Sequence, residues 1–212
     1  FIDQWIGMNN CMIFLTADHG GARNPSYLSD QKMPAGYIDF NKIKDSLNAE
    51  LKSIFGSDKL ILSMNNDQVY FNQTDVFEKS INYENLLSYC ERFILNHQGV
   101  QDVYRKENIR FLCLSDGNIG KIQRGYMPKR SGDLLILLEP SWMDYPPTGT
   151  THGSNHSYDT HVPLLFMGWK IPKGKSSTKV HVEDIAPSIS QWLNIAFPNA
   201  CSGKPLELKL MD

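Results

Sequence analysis

The chain reads as an α/β protein: a mostly parallel sheet flanked by helices, with a smaller α+β subdomain inserted into it. Three observations predict this. Residues 12–16, 134–139 and 163–167 are short, continuous apolar runs bounded by turn residues, the pattern of strands buried on both faces of one sheet. Between the first two, 34–104 switches repeatedly between strand-like and helical spacing. With 212 residues, 41% of them hydrophobic, the chain has enough apolar surface for a substantial core.

Taken in order, Phe1-Ile2-Asp3-Gln4-Trp5-Ile6-Gly7-Met8 has helical apolar spacing but starts without a methionine or a cap, like the tail of a helix. The first core strand, 12–16, follows. Next come a strand (36–39), a helix (41–55), two strands (59–64 and 68–71), a helix (83–97) and a strand (100–105). Asn82 is placed to cap the second helix, and Asn65-Asn66-Asp67 suits a tight hairpin turn. The order βαββαβ predicts a ferredoxin-like split unit. Turn-rich connectors at 115–121 and 128–132 lead back to the second core strand, 134–139. After the third, a hairpin at 170–175, a short strand at 180–182 and a helix from an Asp184 cap to about Leu193 complete the chain. The expected division is 1–33 core, 34–106 inserted subdomain and 107–212 core.

A net charge of −2, with scattered lysines and arginines, offers no basic field for nucleic acid or an anionic membrane surface. No apolar run approaches the roughly 20 residues of a membrane helix. Cys11, Cys90, Cys113 and Cys201 lack the C-x-x-C spacing of a zinc ribbon or redox motif and are expected to be mostly buried thiols.

Chemistry concentrates in two stretches. Thr16-Ala17-Asp18-His19-Gly20-Gly21 ends the first core strand, where α/β enzymes place their sites. Side chains alternate along a strand, so Asp18 and His19 can converge on one ion only if the pleat breaks, and two glycines permit that. Carboxylate oxygen and imidazole nitrogen are both zinc ligands. The second stretch, Gly149-Thr150-Thr151-His152-Gly153-Ser154-Asn155-His156-Ser157-Tyr158-Asp159-Thr160-His161, packs three histidines into a polar loop before the third strand.

The strand-end DHG followed by THGS…YDTHVPLLFMG resembles the alkaline phosphatase superfamily, in its phosphate-irrepressible branch, related to the nucleotide pyrophosphatase/phosphodiesterases. Arg130-Ser131-Gly132-Asp133-Leu134, Asp184-Ile185-Ala186-Pro187-Ser188 and Gly203-Lys204-Pro205-Leu206 extend the resemblance over nearly the whole chain. It implies the C-terminal part of that superfamily's sheet, with the inserted subdomain lying over the site. It also implies two Zn2+ ions roughly 4 Å apart, phosphate ester substrates, and hydrolysis of monoesters through a phospho-Thr/Ser intermediate. Asp18 and His19 would bind the ion that activates the nucleophile, and His152 the ion on the leaving-group side. Tyr158 and Asp159 could orient His152 or, for Asp159, cap the turn; His161 could support them. Arg23 and Asn24 lie just past the first ligands. His97, His156 and His181 read as structural.

The family pattern also needs an Asp and a Thr or Ser nucleophile upstream, and an Asp-x-x-x-His pair. Residues four before the six histidines are Leu15, Phe93, Thr148, His152, Ser157 and Ser177, so no such pair exists here. The chain is therefore expected to be the C-terminal part of a larger periplasmic or secreted phosphatase. Alone, it is expected to be inactive, poorly metallated and prone to self-association. A phosphodiesterase or nucleotide pyrophosphatase, or a non-catalytic binding module, are the alternatives.

Overall fold

The computed structural model describes residues 1–109, 111 and 117–207. In chain order its elements are α1 (Ile2–Trp5), β1 (Met12–Leu15), α2 (Pro25–Asp30), β2 (Gly36–Ile38), α3 (Phe40–Phe55), β3 (Ile61–Asn65), β4 (Gln68–Phe71), α4 (Gln73–Glu78), α5 (Tyr83–Leu95), β5 (Val100–Arg105), α6 (Lys106–Ile109), α7 (Asn118–Gly125), β6 (Leu134–Leu138), β7 (Trp142–Asp144), α8 (Ser157–Thr160), β8 (Leu165–Gly168) and α9 (Ile185–Leu193). Short 3-10 turns cover Met8–Asn10 and Val182–Asp184. Two compact units result, one from Phe1–Thr16 with Pro163–Asp212, the other from Ala17–Val162. Cys113 and the start of the connector expected at 115–121 lie outside the described residues.

In the larger unit the βαββ run folds much as its pattern predicts. Asp39 caps α3 by accepting from the Lys42 amide at 3.0 Å, and Gly56, at φ +74, ends the helix in the left-handed region. One face of α3 buries Phe40, Ile43, Leu47 and Leu51, and α5, capped by Asn82 as expected, buries Leu86, Leu87, Cys90 and Ile94. Burial pushes the Cys90 thiol up to about 12, so it stays protonated and inert. The Asn66 and Asp67 backbones take φ of 46 and 57, the left-handed pair that a two-residue hairpin between β3 and β4 requires.

Sheet membership differs from the expectation. β6, assigned by its apolar run to a parallel core sheet with β1 and β8, instead lies inside a four-stranded antiparallel sheet of order β3-β4-β6-β5. β2 is absent from this sheet and pairs in parallel with β7, and β1 pairs antiparallel with β8. Only β2 and β7 run parallel among the described pairs, so the mostly parallel sheet is not what these residues form. β2 also does not take the sheet position that a βαββαβ unit gives its first strand.

Burial explains why β6 misled. Leu134, Ile136 and Leu138 face the core built with α3 and α5, while Leu135 and Leu137 pack with Ile109 and Ile122 on the other side. A strand covered on both faces reads as a continuous apolar run whichever way its neighbours point. The entry to β6 is fixed by the buried Asp133. Its carboxylate accepts from the Phe71 amide at 2.8 Å, the Tyr83 hydroxyl at 2.8 Å and Gln73 Nε2 at 3.1 Å, and pairs with Lys106.

In the smaller unit, β1 and β8 form a two-stranded sheet. Residues 180–182 are not a strand, since Val182 opens a 3-10 turn. Asp184 does not cap α9 with its side chain: its carboxylate accepts from the His181 amide at 2.8 Å and the Lys204 amide at 2.7 Å, tying the segment after α9 back to the turn before it.

Asp133→Ala leaves three neutral donors and a partly buried ammonium without their acceptor, and is expected to cost about 3–4 kcal/mol of stability. Asp133→Asn, which keeps an acceptor, should cost less. Urea unfolding measures both; a loss below about 1 kcal/mol for the alanine variant would contradict this role.

Candidate functional site

The two chemistry-bearing stretches meet in the larger unit. Gly20 donates its amide to the Asp159 carbonyl at 2.7 Å, and Gly21 donates to the Tyr158 carbonyl at 3.0 Å. A Cβ on Gly20 would sit 2.0 Å from the Tyr158 oxygen, so only glycine allows the approach. Thr150 Oγ1 donates to the Ala22 carbonyl at 2.7 Å, and Asn24 Nδ2 to the Gly149 carbonyl at 3.1 Å, extending the clasp. Asn24 also caps α2 through the Tyr27 amide, which gives this residue a structural task; Arg23 is exposed.

This clasp sets His19 against His152. Their rings stack with centroids 3.5 Å apart and planes 9° from parallel. Both are solvent-exposed, as is Asp18. His19 Nδ1 lies 2.6 Å from the Gly20 carbonyl, which can only accept, so Nδ1 carries the proton and Nε2 keeps its lone pair. That Nε2 stands 3.7 Å from Asp18 Oδ2. Two donors at about 2.0–2.2 Å from one tetrahedral zinc are about 3.4 Å apart, so the pair is spaced to share an ion. Among the described residues no three His, Cys, Asp or Glu side chains converge closely enough to hold a metal ion.

The residues expected to support His152 are occupied otherwise. Asp159 is buried, and its Oδ2 accepts from the Ser154 amide at 2.8 Å and the Ser154 hydroxyl at 2.7 Å. The Tyr158 hydroxyl accepts from the Ser141 amide at 3.1 Å, and the His161 side chain is exposed. These two tyrosine and aspartate groups hold the loop and do not bond the His152 ring. His156 is structural as expected: its Nε2 donates to the Leu138 carbonyl at 2.9 Å, tethering the loop to the end of β6.

Beside His152 lies a feature the sequence did not reveal, a cavity of about 270 Å³ whose walls include Asp67, Asp144 and Asp159. Burial, then the charge of Asp144, pushes the Asp67 carboxyl up to about 6. Burial also raises Asp144, although its Oδ1 accepts from the Phe40 amide at 3.3 Å. Asp67 was visible only as a turn former, because the hairpin that carries it reaches this wall through tertiary packing.

Gly20→Ala should part the loops and abolish the mutual ring-current shifts of the His19 and His152 protons in NMR spectra; retained shifts would show that the clasp does not set the stack. A second outcome concerns pH. A folded-state Asp67 value above the unfolded value of about 3.9 means the folded chain holds an extra proton between about pH 4 and 6. Stability from this group is therefore present at acid pH and lost as pH rises through about 6. Asp67→Asn should accordingly gain on the wild type by about 2 kcal/mol between pH 4 and 7 in urea titrations, and a pH-independent difference would refute it.

No family model matches the chain. Individual relatives do. It is 37% identical over 209 residues to a protein of Myroides odoratus named calcium-transporting ATPase, covering 98% of this chain and 38% of that one. It is 35% identical over 206 residues to alkaline phosphatase PafA of Elizabethkingia meningoseptica (97% and 38% covered), and 31% identical over 204 residues to alkaline phosphatase PhoV of Synechococcus elongatus (96% and 36%). The crystal structure of wild-type PafA superposes with a TM-score of 0.87 at 35% identity, over 97% of this chain and 39% of PafA. The chain thus spans less than two fifths of the length of the curated relatives it matches. In sequence and in α/β fold, its homologues are alkaline phosphatases of the PafA and PhoV type, and it matches their C-terminal part.

Proposed function

We propose that the chain is the C-terminal part of a zinc-dependent alkaline phosphatase that hydrolyses phosphate monoesters through a phospho-threonine or phospho-serine intermediate. The observation that carries this reading is the stack of His19 on His152, which brings the ligands expected for two different ions side by side. Asp18 and His19 would hold one zinc and His152 the other, with the nucleophile and remaining ligands supplied by the part of the relatives that this chain does not match. When bound, such ions stabilise charge on the attacking and departing oxygens and lower the nucleophile's pKa.

The chain's own contribution is positional. The Gly20 carbonyl keeps the His19 proton on Nδ1 and frees Nε2, and the glycine clasp fixes the spacing between the two ligand stretches. The names of the Myroides and PafA relatives, an ATPase and a phosphatase, differ on substrate but share cleavage of a phosphorus–oxygen bond. A phosphodiesterase or nucleotide pyrophosphatase would use the same metal residues. A periplasmic or secreted location accompanies the proposed family role. Self-association of the isolated chain is also proposed, because Phe14, Leu15, Leu165 and Met167 of the β1–β8 sheet are 45%, 62%, 55% and 53% exposed.

Assays on the full-length protein with and without a chelator test the reading, with a monoester compared against a diester. Activity should be lost with the metal, and His19→Ala or His152→Ala should each lower kcat about 100-fold or more. The isolated 212-residue chain should show no measurable turnover. Chelator-insensitive activity, or turnover by the isolated chain within about a hundredfold of the parent, would overturn it.

A further inference from the structure

The cavity beside His152 has a chemistry of its own. Asp67 arrives on the β3–β4 turn, Asp144 at the end of β7 and Asp159 in α8, so three separate elements each contribute a carboxylate to one space of about 270 Å³. Asn65 and Asn66 add polar groups at the same wall, while Leu138 and Met143 supply apolar surface. Among the described residues no lysine or arginine lines it.

The three carboxylates are engaged to different extents. Asp159 is 4% exposed, yet its Oδ1 has no hydrogen-bond partner, although its Oδ2 is doubly bonded by Ser154. That oxygen is enclosed, so a molecule in the cavity meets the charge of Asp159 and not its lone pairs. Asp67 uses its backbone carbonyl to accept from the Ile136 amide at 2.7 Å, which fixes the turn and leaves the side chain at the cavity wall. Asp144 is partly engaged by the Phe40 amide. A space of about 270 Å³ has room for a small organic group.

We propose that this cavity receives the leaving group of the substrate, and that Asp67, with Asp144 and Asp159, selects phosphate esters whose alcohol portion is cationic or rich in hydroxyl donors and rejects those whose alcohol portion is anionic. The proposal rests on the reading of His152 as the ligand on the leaving-group side. Hydroxyl or ammonium hydrogens would meet the Asp67 and Asp144 carboxylates, and the carbon skeleton would lie against Leu138 and Met143. An alcohol bearing a carboxylate or a further phosphate would place like charges together in a partly enclosed space.

The test compares kcat/KM of the full-length, zinc-loaded enzyme for three esters that share the phosphoryl group: phosphoethanolamine, glycerol 1-phosphate and 3-phosphoglycerate. At about pH 8, above the value of about 6 for the Asp67 carboxyl, the order should fall from the cationic to the anionic alcohol. Asp67→Asn is suited to the test because asparagine tolerates the left-handed backbone at this position, with φ 57. It should shift the ratio of the cationic to the anionic substrate by about tenfold toward the anionic one. Circular dichroism of the variant separates this from misfolding, and Asp144→Asn, which retains an acceptor for Phe40, should shift the ratio in the same direction. An equal change for all three esters in both variants, or a wild-type preference for 3-phosphoglycerate, overturns the selectivity role while leaving the phosphatase reading intact. Failure of the wild type on every ester, p-nitrophenyl phosphate included, overturns both.

Discussion

Two backbone hydrogen bonds, from Gly20 to Asp159 and from Gly21 to Tyr158, bring together segments that are far apart in the chain. The His19–His152 stack lies across that clasp, as does the placing of Asp159 at the cavity wall. Its geometry leaves no room for any side chain at position 20, so the constraint is steric first and polar second. The second glycine is different: nothing lies within 4 Å of where its Cβ would be. The sequence argument that two glycines permit a broken pleat is thus only part of the reason for the pair; close approach of α8 is what requires the first.

The larger unit supplies the wall against which these loops are set. β6 is the middle of it, bonded to β4 on one side and β5 on the other, with a core on each face. At its end the Leu138 carbonyl accepts from His156, so the loop carrying His152 is anchored to the most buried strand of the sheet. At its start Asp133 gathers donors from β4, α4, α5 and α6. A strand pinned at both ends and packed on both faces has little freedom to move the loop it holds.

Much of this was legible in residues 36–105, where amphipathic spacing and the asparagine and aspartate caps mark helix and strand to within about two residues, although α4 was missed. Local pattern carries that information because each element there buries one face. Strand pairing was not legible, since an apolar run such as Leu134-Leu135-Ile136-Leu137-Leu138 states that both faces are covered and says nothing of direction. Asp18, His19 and His152 could be singled out because their motifs are compact. Asp67 and Asp144 could not, because each is an ordinary turn or strand-end aspartate until folding sets them around one cavity. Asp159 was noticed for the wrong partner: Ser154, two residues after His152, takes the hydrogen bonds expected for the imidazole.

The peptide group joining Gly20 to Gly21 has both its ends engaged. Its carbonyl accepts from His19 Nδ1, and its amide, belonging to the same planar unit, donates to the Tyr158 carbonyl. Hydrogen bonds in series polarise one another: an amide whose N–H is bonded carries more negative charge on its oxygen, so the bond to Tyr158 strengthens the hold of the Gly20 carbonyl on the His19 N–H. The orientation in which His19 presents Nε2 is therefore tied, through one amide plane, to the backbone of α8. Two bonds and one rigid plane thus separate the backbone of that short helix from the imidazole, with no side chain between them.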